Sequence, residues 1–307
     1  MKKKHTVLIT GATGLIGKKL STQLQGEGHT VKWLSRDRYE GPDAPNGGVF
    51  YWNLDSKVIE ERAFENVDTI IHLAGANIGE QRWTADRKRE IMRSRIVSAR
   101  LIFNKLKVMN HSVKTFISAS AIGYYGAVTR QVIFDETSPM SNDFLSKTCF
   151  LWEREAHKFE ELGIRTVIFR NGVVLSKDGG LLPKMIIPVK FGINLPMGTG
   201  HQYINWIHID DIVRIYIKGV EDENLVGVYN AVAPGPLTNE QFMYALSYAK
   251  GGERIHIKMP EAILKTCLGE MSQLILEGTR VSAEKIKSTG FIFEYPSLNK
   301  ALHECID

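Results

Sequence analysis

Through the first 170 positions, short apolar runs alternate with amphipathic stretches: TVLIT (6–10), TVKWLS (30–35), VFYW (49–52), DTIIHLA (68–74), KTFISAS (114–120) and RTVIFR (165–170). The runs have strand length, and most of the segments between them are helical in character and long enough for a parallel crossover. This predicts an α/β fold, a doubly wound parallel sheet with helices on both faces. Ligands of such sheets bind beyond the carboxyl ends of the strands, and the motifs below fall at such ends.

After residue 175 the alternation breaks. SKDGGLLPKMIIPVKFGINLPMGTGHQ is rich in glycine and proline, INWIHIDDIV reads as a short strand entering a helix, and VYNAVAPG reads as another short strand. From Thr238, a helix N-cap, the remainder reads as mainly helical. The expected organisation is a nucleotide-binding domain over 1–175, to which 204–235 return elements. Segments 176–203 and 236–307 then form a smaller, mainly helical lobe on the substrate side.

The first apolar run leads directly into Gly11, Gly14 and Gly17 and then into a helical stretch. Gly11 permits a sharp turn, Gly14 lets a pyrophosphate approach the backbone, and Gly17 lets the helix pack closely on the strand. The helix N-terminus then faces the phosphates. The second strand ends in Ser35 and Arg36, where NAD-binding loops usually carry an acid. A hydroxyl followed by a guanidinium suits the 2′-phosphate of NADP. Read instead as a polar turn, Ser35, Arg36, Asp37 and Arg38 would let Asp37 hold the ribose of NAD.

Composition narrows the class. With 307 residues, 43% hydrophobic and 24% charged, the chain is that of a soluble globular protein. Cys149, Cys267 and Cys305 are widely spaced, which suggests a reducing, cytoplasmic setting and neither disulfides nor zinc. No histidine or cysteine spacing suggests a metal. MKKK is followed by too short an apolar run for export, and no run of membrane-spanning length follows. Three of the charges behind the net +5 lie in that N-terminal tail, read as frayed and solvated. Arg87, Lys88, Arg89, Arg93, Arg95 and Arg100 surround the helical stripe Met92, Ile96, Ala99 and Phe103. Most of these charges are therefore expected on a wet face, and nucleic acid is not an expected partner. Arg95, flanking the stripe, is the candidate phosphate ligand. Long apolar helices leave a homodimer open.

GATGLIG, HLAGA and SASAIGYYG together resemble the extended short-chain dehydrogenase/reductases. Those enzymes place Tyr-x-x-x-Lys on one helix face, the lysine lowering the tyrosine pKa. None of the ten tyrosines here has a lysine four positions later. At the corresponding helix, DFLSKTCFLWE (143–153), Leu145 takes the tyrosine slot and Cys149 the lysine slot, both on the apolar stripe Leu145, Cys149, Trp152, Ala156 and Phe159. With RNGVVLSKDGGLLPKM, GTGHQYINWIHIDDIV, YNAVAPGPLTNEQF and the tail RVSAEKIKSTGFIFEYPSLNKAL, the chain resembles the atypical "epimerase family protein" branch nearly end to end. The resemblance implies a Rossmann-like fold binding NADP(H). The cofactor would lie against Gly11, Thr13, Gly14, Leu15, Ile16 and Gly17, with the 2′-phosphate on Ser35 and Arg36. It also implies Leu73, Ala74 and Gly75 at the adenosine and pyrophosphate, Glu90 and Arg95 on the bordering helix, and Val174 near the nicotinamide.

Ser120 is the candidate substrate-orienting residue, and Tyr124 and Tyr125 are the candidate displaced acids. Asp143 is expected to cap the altered helix. His201, Gln202 and Trp206 come from the segment expected on the substrate side, whereas His208 reads as a core residue and Asp210 and Asp211 as helix-start carboxylates. These residues imply an NADP(H)-dependent oxidoreductase or nucleotide-sugar-epimerase-like enzyme acting on an unidentified small molecule. The alternative from another class is a catalytically inactive NADP(H)-binding sensor or regulatory protein.

Overall fold

Strand propensity and period build one eight-stranded sheet. In chain order its strands are β1 Thr6–Thr10, β2 Thr30–Ser35, β3 Val49–Asn53, β4 Val58–Ile59, β5 Thr69–His72, β6 Thr115–Ala121, β7 Arg165–Asn171 and β8 Gly227–Ala231. The computed structural model describes residues 3–37, 41, 44–129, 131–252 and 255–306, so Arg38 of the β2 turn and Met1 and Lys2 of the basic tail lie outside the described residues. Lys3 of that tail is exposed but pairs with Glu223 at 2.8 Å.

The spatial order is β8-β7-β6-β5-β1-β2-β3-β4. Every neighbouring pair is parallel except β3 with β4, which is antiparallel. The chain runs outward from β1 in both directions, so the carboxyl ends of β1, β2 and β5 form a switch point. Side-chain alternation fills both faces. Val7 and Ile9 join Leu20, Leu24 and Ile212 in one core cluster, while Leu8 joins Ile102, Phe103, Leu106 and Phe159 in the other. The fold is Rossmann-like, as predicted.

Helices α1 (Leu15–Gly26) and α5 (Ile209–Glu221) supply the first face, and α2 (Ala85–Val108) and α3 (Phe144–His157) approach the second. Thr84 caps α2 by accepting from the Arg87 N–H, and Asp143 caps α3 by accepting from Ser146. The buried stripe of α2 is Ile91, Ser98, Ala99, Ile102 and Phe103, rotated from the expected Met92 and Ile96. The rotation also buries Arg87, which was expected on the wet face. Its two terminal guanidinium nitrogens bind Glu80, Glu90 and the Asn77 carbonyl.

Past β7 the chain forms the small strands Val173–Ser176 and Trp206–His208, α4 (Leu182–Lys190) and α6 (Asn239–Ala249). Thr238 and Gln241 close a capping box at the start of α6. Leu182, Met185, Trp206, Phe242, Leu246 and Leu302 share a third core. Beyond residue 250 the helices are short, Glu261–Leu268 to Leu298–Ile306, with irregular segments between them. Asp211 does more than start a helix. Buried in α5, it accepts from the Glu294 and Tyr295 N–H groups at 2.8 and 2.9 Å and ties this tail to the sheet. Among the described residues no helix is long and apolar enough to cross a membrane.

Candidate functional site

A cavity of about 510 Å³ opens at the switch point and runs from the glycine turn to the C-terminal segment. Its size falls within the roughly 300–1,000 Å³ of small-molecule and cofactor pockets. Gly11, Gly14, Leu15, Ile16 and Gly17 line one end. A side chain at Gly11, held at φ +69, would meet the Leu73 backbone at 2.8 Å. One at Gly17 would meet the Gly11 carbonyl at 2.5 Å, so the turn and the strand-to-helix packing both require glycine. Gly14 is the N-cap of α1 and has no side-chain cap, leaving the helix start for a ligand. Thr13 departs from expectation. It is exposed and borders a neighbouring groove with Lys18 and Lys19, because the turn carries it to the outer side.

The other residues expected at a dinucleotide divide by position. Leu73, Arg95 and Val174 line the cavity. Ala74 donates its N–H to Thr10 Oγ1 at 3.2 Å. A side chain at Gly75 would come within 2.9 Å of the Arg95 guanidinium, so glycine lets that cation lie against the loop. Arg95 donates to the Ile91 carbonyl and stands 5.2 Å from the centre of the Trp152 ring. Among the described residues it has no carboxylate partner. A mostly buried guanidinium without a counter-charge fits an anionic ligand such as a phosphate. Ser35 is the last residue of β2 and Arg36 follows it, next to the turn because Leu34 pairs with Thr10. Arg36 is exposed, and the Ser35 hydroxyl accepts from the Asp37 N–H at 3.3 Å. Glu90 is corrected: it is exposed, outside the cavity, and bound to Arg87 at 2.7 Å.

The wall facing this end is the altered helix. Leu145 and Cys149 both line the cavity, so the slots for tyrosine and lysine present an alkyl group and a thiol. Burial pushes the Cys149 thiol up to about 12, with the nearby Glu153 charge adding to the rise. His72, fully buried at the end of β5, accepts from Trp152 Nε1 at 3.3 Å and contacts Ser98 Oγ at 2.8 Å, fixing this wall from behind.

Ser120 lines the cavity and donates to Glu153 Oε1 at 2.6 Å. Glu153, itself buried, is held by Arg170 through two bonds of 2.9 Å. Arg170 also donates to the Tyr125 hydroxyl at 2.9 Å, and Tyr125 donates to Asn230 at 2.7 Å. The sequence reading missed Glu153 and Arg170. The available signal was register, since Ser120 and Arg170 are direct partners on β6 and β7. Both candidate acids are corrected by this network. Tyr125 is buried with its hydroxyl committed, and burial raises its pKa to about 12. Tyr124 does not line the cavity, and its ring is covered by the Arg170 guanidinium at 3.4 Å.

On the far side Gln202 lines the cavity, and its amide donates to the Met197 and Ile275 carbonyls, binding the loop to the C-terminal segment. His201 and Trp206 are corrected. His201 is exposed outside the wall, just after the positive-φ turns at Gly198 and Gly200. Trp206 is 1% exposed in the apolar core of the lobe, where its ring gains most from burial. Tyr203 and Glu277, not singled out from the sequence, do line the cavity. Tyr203 donates to Gln131, and Glu277 accepts from Thr129. One cluster elsewhere, Glu27, His29 and Glu221, has ligand atoms within 4.8 Å of one another. His29 Nδ1 accepts from the His5 N–H, however, so in the neutral ring the nitrogen facing the carboxylates carries the proton.

Residues 7–231 match the family model "NAD dependent epimerase/dehydratase family", and residues 259–305 match DUF1731, a domain of unknown function. The chain is 36% identical over 301 residues to the epimerase family protein YfhF of Bacillus subtilis (strain 168), covering 98% of this chain and 97% of that protein. It is also similar to the solved structure of human epimerase family protein SDR39U1 (isoform2) with NADPH, with TM-score 0.85, 30% identity and 98% of each chain covered. UDP-glucose 4-epimerase of Thermotoga maritima with UDP-glucose, at 18% identity and TM-score 0.76 over 98% of this chain and 97% of that one, shares the fold.

Proposed function

The chain belongs to the NAD dependent epimerase/dehydratase family, and from that premise we propose that it is an NADP(H)-dependent oxidoreductase or epimerase-like enzyme acting on a small molecule. One observation carries the reading. A single cavity joins the glycine turn and Arg95 to a pocket walled by Ser120, Leu145, Cys149 and Gln202. The uncapped start of α1 and Arg95 would hold the phosphates, and Ser35 and Arg36 the 2′-phosphate. Bound there, the nicotinamide would supply a hydride donor or acceptor. Ser120 would orient the substrate against the apolar wall, and the C-terminal segment at Ile275 and Thr279 would keep water out. The relative with NADPH supports this choice of cofactor.

A second reading, a protein that holds the dinucleotide without turnover, is favoured by the alkyl and thiol groups in the Tyr and Lys slots. Transfer of label from C4 of the cofactor into any metabolite would exclude it. For the first reading, NADPH and NADH are titrated into wild-type protein and Arg36→Ala. Loss of one charge-assisted contact should weaken NADPH by about 10- to 150-fold and leave NADH within about twofold. Equal loss for both nucleotides, or binding of neither to the wild type, would remove the cofactor assignment.

A further inference from the structure

Ser120 is one of several polar groups that line the cavity, and its hydrogen-bond state decides what it can recognise. Ser120 can use its hydroxyl proton once. Its neighbour Glu153 is a carboxylate paired with Arg170, so it brings no proton to the 2.6 Å contact. The serine must therefore be the donor there. Glu153 is fastened from two directions, by Arg170 Nε on the oxygen that Ser120 uses and by Arg170 Nη2 on the other. Arg170 is fixed in turn by Tyr125 and by the Tyr124 ring. Ser120, Glu153 and Arg170 are all at most 5% exposed, and the acceptor that holds the serine proton is the buried Glu153 carboxylate.

We infer that this buried lock makes Ser120 an obligatory hydrogen-bond acceptor toward the cavity, and that the site selects a ligand carrying a hydroxyl, in preference to a carbonyl, at that point. The inference rests on the cavity being the substrate site proposed above. A hydroxyl donates into a lone pair of Ser120 Oγ, beside the Cys149 thiol that also lies within hydrogen-bonding reach of that serine, whereas a carbonyl oxygen meets lone pairs with lone pairs of its own. Cys149, Leu145 and Ile122 on the same wall supply no strong donor that would suit a carbonyl instead. Glu153 and Arg170 are positioning residues: neither lines the cavity, and both act through the direction of one proton.

The test uses the full chain and two probes of nearly equal shape, cyclohexanol and cyclohexanone. Binding is followed by methyl NMR of Met185 and Met197, both of which line the cavity. Wild-type protein should bind the alcohol about tenfold more tightly than the ketone. Ser120→Ala, a small change that leaves the Glu153–Arg170 pair intact, should bring the ratio within about twofold. The double variant Glu153→Leu with Arg170→Met removes the lock, frees the serine proton and should lower the ratio in the same way. Should the double variant fail to fold, Ser120→Ala still decides. Equal or tighter binding of the ketone, an unchanged ratio in Ser120→Ala, or no saturable shift with either probe would overturn the inference. NADPH titration of the same samples separates the two claims. A preference for the alcohol without NADPH binding removes the cofactor reading alone, and NADPH binding without the preference removes this one alone.

Discussion

His72 is predicted to make the fold acid-sensitive by a specific amount. Its ring is fully buried, and both nitrogens have assigned roles. Nδ1 accepts from Trp152 Nε1, so Nε2 carries the proton and donates to Ser98 Oγ, which passes its own proton to the Ser94 carbonyl at 2.6 Å. A second proton on Nδ1 would set two N–H groups against each other. Burial, with the charge of Arg95 adding to it, lowers the His72 pKa from 6.5 to about 3. The folded value lies below the unfolded one, so between them the unfolded chain binds a proton that the native chain refuses. The stabilisation is complete above about pH 6.5 and is lost as pH falls toward 3. From pH 7 to pH 5 the loss is about 2 kcal/mol, at about 1.36 kcal/mol per pH unit below 6.5. Urea unfolding of wild type and His72→Gln at both pH values measures it. The glutamine lacks the titration, so whatever it costs at pH 7, its deficit relative to wild type should shrink by about 2 kcal/mol at pH 5. A deficit that stays constant would show that His72 is protonated in the native state, and the assigned hydrogen bonds would be wrong.

Two other outcomes concern the three cysteines and Tyr125. Cys267 is exposed, while burial raises Cys149 and Cys305 to about 12 and about 11. Ellman's reagent at pH 8 should therefore titrate one thiol quickly in the native protein and all three in urea, and rapid reaction of Cys149 would refute its assignment as an inert wall group. Tyr125→Phe should cost about 1–3 kcal/mol in urea unfolding, because it leaves Arg170 Nη1 and Asn230 Oδ1 short of a partner. NADPH affinity should not change, and a loss of stability below about 0.5 kcal/mol would argue that water fills the gap.

Much of the fold was legible because its causes are local. Gly17 could be read from sequence because a side chain there collides with a backbone only six positions earlier. The sheet could be read because alternation on β1 sends Val7 and Ile9 to one core and Leu8 to the other. The helix of the altered pair was legible too, since the four-residue spacing of Leu145 and Cys149 turns both toward the same wall. Glu153 and Arg170 were not legible. A charged residue after an apolar stripe, or at the end of a strand, usually reaches water, and only the pairing of Ser120 with Arg170 across β6 and β7 reveals that these two do not. Tyr124 and Tyr125 misled for the same reason. In sequence they are phenols in a loop at the right strand end, but Arg170 binds the hydroxyl of one and covers the ring of the other. The pair lost from α3 is therefore not replaced by a displaced tyrosine in that loop. The proton that matters on this wall is the one Ser120 gives to Glu153, and its direction follows from an ion pair that local pattern cannot expose.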